Sequence, residues 1–256
     1  MRGLEAVARQ ALDTYLLRDS ARPIAVGLSG GGDSLALTLI ADRWAREVGR
    51  ELLILTVDHR LQPYSAGWTA ACAAIAERLE RPFQALAWSG DKPATGLPAA
   101  ARLARHRLMA DAAREVGATV ILLGHTADDV AEAAAMRAAG ATTPDARIWS
   151  PSPVWPQGRG LFLLRPLLHA ARADLRGWLR ARGEPWIEDP ANADPRYARS
   201  RVRLAGAAGA ASIGPTALPL SLAAEATEHA GLIEIGQQRL RDAAPDEVRR
   251  FVGLAA

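Results

Sequence analysis

Short apolar runs alternate with amphipathic stretches along the first 140 residues of the chain. Four runs, at residues 24–28, 52–57, 82–88 and 119–123, have the length of strands, and all but the third are apolar apart from at most one threonine. Continuous apolar runs are typical of strands that are buried on both faces of a parallel sheet. Because helical stretches separate these runs, the pattern predicts an α/β fold with a doubly wound parallel sheet.

The helices are predicted from apolar residues three or four positions apart. They are expected at residues 3–18, 35–48, 65–79, 98–116, from about 126 to 139, and 171–182. Residues 140–160 contain four prolines and are expected to form loops, and residues 161–164 are expected to form a fifth strand.

The composition shifts to Ala, Gly, Leu and Pro after residue 205. We therefore predict a catalytic domain over residues 1–205 and a short extension over residues 206–256. Two short helices are expected within residues 220–256, separated near Pro245. The predicted fold class is thus a doubly wound α/β sheet with a small helical C-terminal region.

Composition and charge narrow the function only slightly. The net charge is +3, and Lys92 is the only lysine, so nearly all basic residues are arginines. Arginine suits phosphate contacts and hence a nucleic-acid partner, although a GC-rich genome would produce the same bias. Cys72 is the single cysteine and is expected to pack in the core, which excludes an internal disulfide framework or a cysteine-based metal centre.

No apolar run reaches the length of a membrane span, and the charged N-terminus lacks the core of a signal peptide. We therefore expect a cytoplasmic protein with no membrane partner. The sequence leaves the oligomeric state open, a homodimer included.

The most informative stretch follows the first predicted strand and precedes a predicted helix. Its glycines permit a sharp turn and a close backbone approach to a ligand, and amide groups beside a helix N-terminus suit a phosphate. The acidic residue of this stretch, Asp33, would repel a phosphate unless a cation lay between them, so we interpret Asp33 as a Mg²⁺ ligand. The alternative is a simple turn followed by a helix cap. The stretch reads Ser29, Gly30, Gly31, Gly32, Asp33, Ser34.

Two further polar groups follow predicted strands. Asp58 and His59 follow the second strand, and residues 125–129 follow the fourth. Ligands of such sheets bind at the carboxyl ends of the strands, so we expect all three groups to form one site. Asp128 and Asp129 are candidates to complete a metal shell or orient an amine, although Thr126 and Asp129 also have the spacing of a helix capping box.

The six-residue stretch resembles the signature of the PP-loop ATP pyrophosphatases, Ser-Gly-Gly-x-Asp-Ser, at every fixed position. Over residues 20–205 the chain further resembles one family among them, the tRNA(Ile)-lysidine synthases. Five ordered segments carry this resemblance: residues 29–34, 57–65, 92–102, 125–137 and 165–203, the last ending in Arg199, Arg201 and Arg203.

The resemblance implies a two-step reaction. ATP adenylates C2 of the wobble cytidine in tRNA(Ile) with a CAU anticodon, pyrophosphate leaves, and the ε-amine of free L-lysine displaces AMP to form lysidine. It implies ATP and Mg²⁺ as cofactors, with Asp33 and Asp129 as metal ligands and Asp33, Asp129 and Glu132 as catalytic residues. The implied ATP-binding residues are Ser29, Gly30, Gly31, Gly32, Asp33, Ser34, Asp58, His59 and His125. Arg199, Arg201 and Arg203 are expected to bind the tRNA, unless they merely form a solvated helix face.

The match to the family pattern has departures. Val130 follows the aspartate pair where the family has Gln, and Ala133 follows the glutamate where it has Thr. The family also has further C-terminal domains that the residues after 205 are too few to form. Two alternatives stay open at this point: another PP-loop ligase that adenylates a small carbonyl compound, and a nucleotide- or RNA-binding paralogue that has lost catalysis.

Overall fold

A computed structural model of the chain describes residues 2–141, 143 and 146–189, together with two short strands near the C-terminus. Six helices occur in the described part: α1 (Arg2–Tyr15), α2 (Gly32–Val48), α3 (Ser65–Arg78), α4 (Leu97–Glu115), α5 (Ala127–Ala138) and α6 (Arg172–Arg180). The strands are β1 (Ile24–Gly27), β2 (Leu52–Asp58), β3 (Phe83–Ala87), β4 (Val120–Leu122), β5 (Trp149–Pro151), β6 (Phe162–Leu164), β7 (Thr227–His229) and β8 (Leu232–Glu234).

The first six strands form one sheet in the order β3-β2-β1-β4-β6-β5. All neighbours are parallel except β5, which pairs antiparallel with β6. The chain therefore moves outwards from β1 to one edge and then crosses to the other side at β4. The carboxyl ends of β1 and β4 are adjacent at this crossover, which is where doubly wound sheets bind ligands. The predicted doubly wound fold is confirmed.

Alternate residues of the central strands face two separate hydrophobic cores. Ile24 and Val26 of β1 belong to the core covered by α1, α2, α3 and α6, whereas Ala25 between them belongs to the core beneath α4. Leu52 and Leu53 of β2 divide in the same way. Both faces of the sheet are thus apolar, which accounts for the continuous apolar runs in the sequence.

The strand β5 was not predicted, because its segment is rich in proline. It is a three-residue edge strand that ends at Pro151, a position where proline costs no central hydrogen bond. The indole ring of Trp149 stabilises this strand, because it stacks between the rings of Tyr15 and Phe162 at centroid distances of 5.6 and 5.0 Å.

The helical prediction for the C-terminal region is wrong for two segments. Thr227–His229 and Leu232–Glu234 are antiparallel strands, with Thr227 opposite Glu234 and His229 opposite Leu232. The boundary predicted near residue 205 and the predicted tRNA-binding residues Arg199, Arg201 and Arg203 lie outside the described residues.

Two smaller predictions can be compared with the structure. Cys72 is fully buried in α3, and burial raises the pKa of its thiol, as expected for a packing residue. None of the helices in the described ranges is long and apolar enough to cross a membrane.

Candidate active site

The glycine-rich loop is closed by hydrogen bonds among its own residues. The hydroxyl of Ser34 donates to the carbonyl of Gly31 at 2.9 Å and accepts from the amide of Ser29 at 3.1 Å. Because Ser34 donates its only hydroxyl proton to Gly31, its oxygen also accepts a hydrogen bond from the hydroxyl of Ser29, at 3.0 Å. Ser34 thus holds the loop in shape, while Ser29 is exposed beside it. Contact of either hydroxyl with ATP stays a prediction.

A segment more than 150 residues away braces the same loop. The amide of Ile187 donates to the carbonyl of Gly30 at 2.9 Å. Gly30 has a φ of +83°, and a β-carbon there would lie 2.5 Å from the side chain of Ile187. Trp186 also lies over Gly32, where a hypothetical β-carbon would make an ordinary contact at 3.4 Å. Glycine is therefore favoured at position 30 by its backbone conformation, and any larger residue would also have to displace the end of the Ile187 side chain.

One guanidinium joins the three predicted catalytic carboxylates. Arg172, the first residue of α6, donates from Nε to Asp33 at 2.9 Å, from Nη1 to Glu132 at 3.1 Å and from Nη2 to Asp129 at 3.4 Å. Asp33 lies in the first turn of α2, and the other two acids lie on α5. The structure therefore brings the predicted catalytic residues together, as expected from the neighbouring ends of β1 and β4.

The sequence left open whether Asp33 and Asp129 only cap their helices, and the structure gives a different answer for each. Asp33 does not cap α2: the N-cap is Gly31, and no side chain caps this helix. Asp129 does cap α5, because its Oδ2 accepts the amide of Thr126 at 2.9 Å and the hydroxyl of Thr126 at 3.0 Å. Only its Oδ1 faces Arg172. Asp128 accepts the backbone amide of Arg172 at 2.8 Å and so orients the start of α6.

Burial raises the pKa values of Asp33 and Asp129, whereas the neighbouring Arg172 lowers them. Burial raises the pKa of Asp33 above its ordinary value, although Arg172 favours the carboxylate. Burial would also raise the pKa of Asp129, but His125 when protonated, Thr126 and Arg172 together hold it below its usual value. The side chain of Glu132 is only 4% exposed. The ionised acids therefore depend on a neighbouring cation, because a partly shielded carboxylate without one is costly.

Basic side chains lie on the other side of Asp129. The Nε of Arg165 donates to Nδ1 of His125 at 3.2 Å, which leaves the proton of the neutral ring on Nε2. Burial lowers the pKa of His125 to about 3, so the ring is neutral at pH 7 and can act as a hydrogen-bond donor. Burial, with Arg102 adding to it, lowers the pKa of the buried Arg165 to about 10.

The residues after β2 form a separate part of the same edge. Asp58 accepts the amide of Arg60 at 2.8 Å, in a turn where Arg60 has a φ of 53°. His59 packs edge-on against Trp88, and its buried Nδ1 has no hydrogen-bond partner within the described segments. Binding of ATP by Asp58 and His59 stays a prediction.

Sequence reasoning missed the role of Arg172 and the bracing segment. Arg172 begins a helix, where a cation is unfavourable beside the helix dipole, and this misplaced charge was the available signal. Nothing in the sequence of Trp186 and Ile187 indicates contact with the loop, since their partners are glycines more than 150 positions earlier.

The acidic side chains of the site can supply only part of a Mg²⁺ coordination shell. Among the residues that the structure describes, no group of three or more His, Cys, Asp or Glu side chains is arranged for a metal ion. Mg²⁺ at nucleotide sites commonly uses one or two carboxylates, with phosphates and waters completing its shell. Asp33 and Oδ1 of Asp129, which share the guanidinium of Arg172, fit that smaller donor set.

The class of the protein follows from a comparison with known families. The model of the PP-loop domain matches residues 4–205. The chain therefore belongs to the PP-loop family, in agreement with the loop at residues 29–34 and the sheet that presents it.

The most similar curated relatives that we compared are tRNA(Ile)-lysidine synthases. The protein from Caulobacter vibrioides is 57% identical over 199 residues, covering 78% of this chain and 49% of the relative. The protein from Methylobacterium nodulans is 43% identical over 199 residues, covering 78% of this chain and 57% of the relative. The chain thus spans about half the length of the curated relatives it matches.

A solved structure supports the fold. The U34-tRNA thiolase NcsA from Methanococcus maripaludis superposes with a TM-score of 0.64 and 18% identity, over 77% of this chain and 70% of that one. At this identity the likeness concerns the fold alone.

We predict that Gly30→Ala destabilises the protein and weakens ATP binding, because the new methyl group adds backbone strain and displaces Ile187. The expected loss is about 2–4 kcal/mol in the free energy of unfolding, measured by urea denaturation. Gly31→Ala is the matched control: its nearest contact would be 3.6 Å away and its φ is −69°, so less than about 1 kcal/mol should be lost. Equal losses in the two variants would contradict the bracing role of Ile187.

A second prediction concerns His106, which is 3% exposed on α4. Burial lowers its pKa to about 3, and nearby cations add to the effect: Arg105, Arg102, Arg165 and His125 when protonated. Below pH 6.5 the unfolded chain takes up a proton that the folded chain does not, so stability falls as the pH drops from about 6.5 towards 3.

His106→Phe should remove this component. The loss of stability between pH 7.5 and pH 5, followed by urea denaturation, should shrink by about 2 kcal/mol. An unchanged pH dependence in the variant would show that His106 is protonated in the folded protein.

Proposed function

We propose that the chain is the ATP-using part of a tRNA(Ile)-lysidine synthase. It would join the ε-amine of L-lysine to C2 of the wobble cytidine in tRNA(Ile) with a CAU anticodon, through an adenylated intermediate. The observation that carries this proposal is the meeting of Asp33, Asp129 and Glu132 at Arg172, next to a PP-loop. The similarity to lysidine synthases supports the identity of the substrates.

The loop supplies the pyrophosphate end of the site. Backbone amides at the N-terminus of α2 face a ligand with the positive end of the helix dipole. The internal bonds of Ser34 and the brace from Ile187 hold these amides in place before ATP arrives. Donors that are fixed in advance stabilise charge that develops on a leaving pyrophosphate, since they need no reorganisation.

Asp33 is the residue best placed to hold Mg²⁺, with Asp129 as a second ligand. The ion would neutralise charge on the phosphates as the pyrophosphate leaves. His125 contributes a neutral N–H donor, because its Nδ1 is occupied by Arg165. These assignments give each polar group at the ends of β1 and β4 a part in nucleotide binding.

Glu132 and Asp129 are suited to the amine step. Lysine arrives as an ammonium and must lose a proton before it attacks, which requires carboxylates that first bind it and then accept the proton. Glu132 is nearly buried and its orientation is set by Arg172. We assign Glu132 as the main candidate base and Asp129 as its partner.

The arginines at positions 199, 201 and 203 remain our candidates for binding the tRNA, on the basis of their charge and sequence position. We also retain residues 1–205 as the proposed catalytic domain, a division that the family match over residues 4–205 supports.

The experiment measures pyrophosphate release from ATP and Mg²⁺, with CAU-anticodon tRNA(Ile) and lysine added or withheld, and lysidine by mass spectrometry of the digested tRNA. We expect release to require the tRNA and lysidine to require both additions. Release that ignores tRNA and lysine would refute this function and favour another PP-loop ligase. ATP binding without release under any condition would indicate a paralogue without catalysis.

At the residue level we predict that Asp33→Asn lowers pyrophosphate release by a factor of about 10² or more, because a carboxylate ligand to the metal is lost. Asp174→Asn, on the exposed surface of α6, should leave the rate unchanged and serves as the matched control. Circular dichroism and melting verify that both variants fold. If the folded Asp33→Asn variant retained normal turnover, Asp33 would not be a ligand of the metal.

A further inference from the structure

The catalytic carboxylates already have a cation in this structure. Each of the three nitrogens of Arg172 serves a different acid, so the guanidinium is shared among Asp33, Asp129 and Glu132. The arginine side chain is only 16% exposed, and those of the acids are between 4% and 22% exposed. Water therefore screens this cluster less than it screens a surface ion pair.

The position of Arg172 is fixed from its backbone. Its amide is held by Asp128 at 2.8 Å, and the rest of α6 is anchored through Leu175, Trp178 and Leu179 in the core. The guanidinium thus cannot leave the cluster without rotation of its own side chain. It faces Asp33 from the end of a helix that is itself rigidly packed.

We propose that Arg172 is a positioning residue that acts as the resident cation of the site, with which Mg²⁺ must compete for Asp33. Before the nucleotide binds, Arg172 offsets part of the negative charge of the three acids and keeps Asp129 and Glu132 oriented. When Mg²⁺ approaches with the nucleotide, the same carboxylate serves two cations. Arg172 therefore weakens the affinity for the metal while preserving the geometry of the two acids on α5.

This inference rests on the proposed function only through ATP and Mg²⁺. It requires neither tRNA nor lysine, so it can be tested by nucleotide binding alone. If the chain proved to act on another substrate, the competition at Asp33 would stand. If the competition were absent, lysidine formation would remain a separate question.

The test titrates Mg²⁺ and measures binding of ATP by calorimetry, without tRNA or lysine. In Arg172→Gln the Mg²⁺ concentration needed for half-maximal binding should fall about tenfold, since an opposite charge within about 4–6 Å lowers the proton affinity of a carboxylate by this factor or more and should act on a bound metal cation in the same direction. Arg172→Lys keeps the charge and should stay near the original value. Arg107→Gln, at an exposed position of α4, is the matched control and should change nothing.

A purely structural role predicts a different result. It would lower the melting temperature of Arg172→Gln without lowering its Mg²⁺ requirement, and that outcome in a folded variant would overturn the proposal. A double-mutant cycle with Asp33→Asn provides the second measurement: the effect of Arg172→Gln should vanish when Asp33 can no longer bind the metal. If the effect persisted in that background, competition at Asp33 would be refuted.

If Arg172→Gln does not fold, the proposal is tested with Arg172→Lys instead. Lysine offers a single point charge instead of three directed donors, so it cannot hold all three acids at once. We then expect a near-normal Mg²⁺ requirement for ATP binding. Lysidine formation with tRNA and lysine present should fall at least about tenfold, because Asp129 and Glu132 lose their orientation. Normal lysidine formation together with normal Mg²⁺ dependence would contradict the positioning role.

Discussion

The contact of one guanidinium with three carboxylates is the interaction on which the candidate site depends. Asp33, Asp129 and Glu132 come from two helices and meet where water has limited access. Without a cation among them their charges would repel one another and remain poorly solvated. Arg172 reduces this repulsion, and its own placement depends on α6 packing against α2. The arrangement of these helices on one face of the sheet is therefore part of the site.

The loop achieves its shape by a different means. The hydroxyl of Ser34 bonds within the loop and the carbonyl of Gly30 bonds to Ile187, so the amides at the N-terminus of α2 are left to face a ligand. The loop thus contributes dipoles of fixed direction, whereas the cluster around Arg172 contributes net charges. A phosphate chain and its counter-ion need both, because amides orient the oxygens and charges balance them.

The parts predicted from the sequence are those that depend on local patterns. Continuous apolar runs led to the buried parallel strands, and the topology of such sheets then brought Asp33 and Asp129 to one place. The strand β5 was missed because its proline pattern resembles a loop, and the helical prediction at Thr227–His229 failed because pairing between short segments overrides local helix propensity. The role of Arg172 was missed since it depends on side chains more than 35 positions away.

The brace between Ile187 and Gly30 has a consequence for the limits of the nucleotide-binding unit. In the part of the chain that the structure describes, the six-stranded sheet has its last strand at β6, and the last helix ends at Arg180. The backbone bond that holds the loop, however, comes from a residue seven positions further on. A fragment ending with α6 would keep the described strands and helices of this sheet but would lose the bond from Ile187 to the loop. The smallest portion of chain that can preserve this loop conformation therefore extends to Ile187.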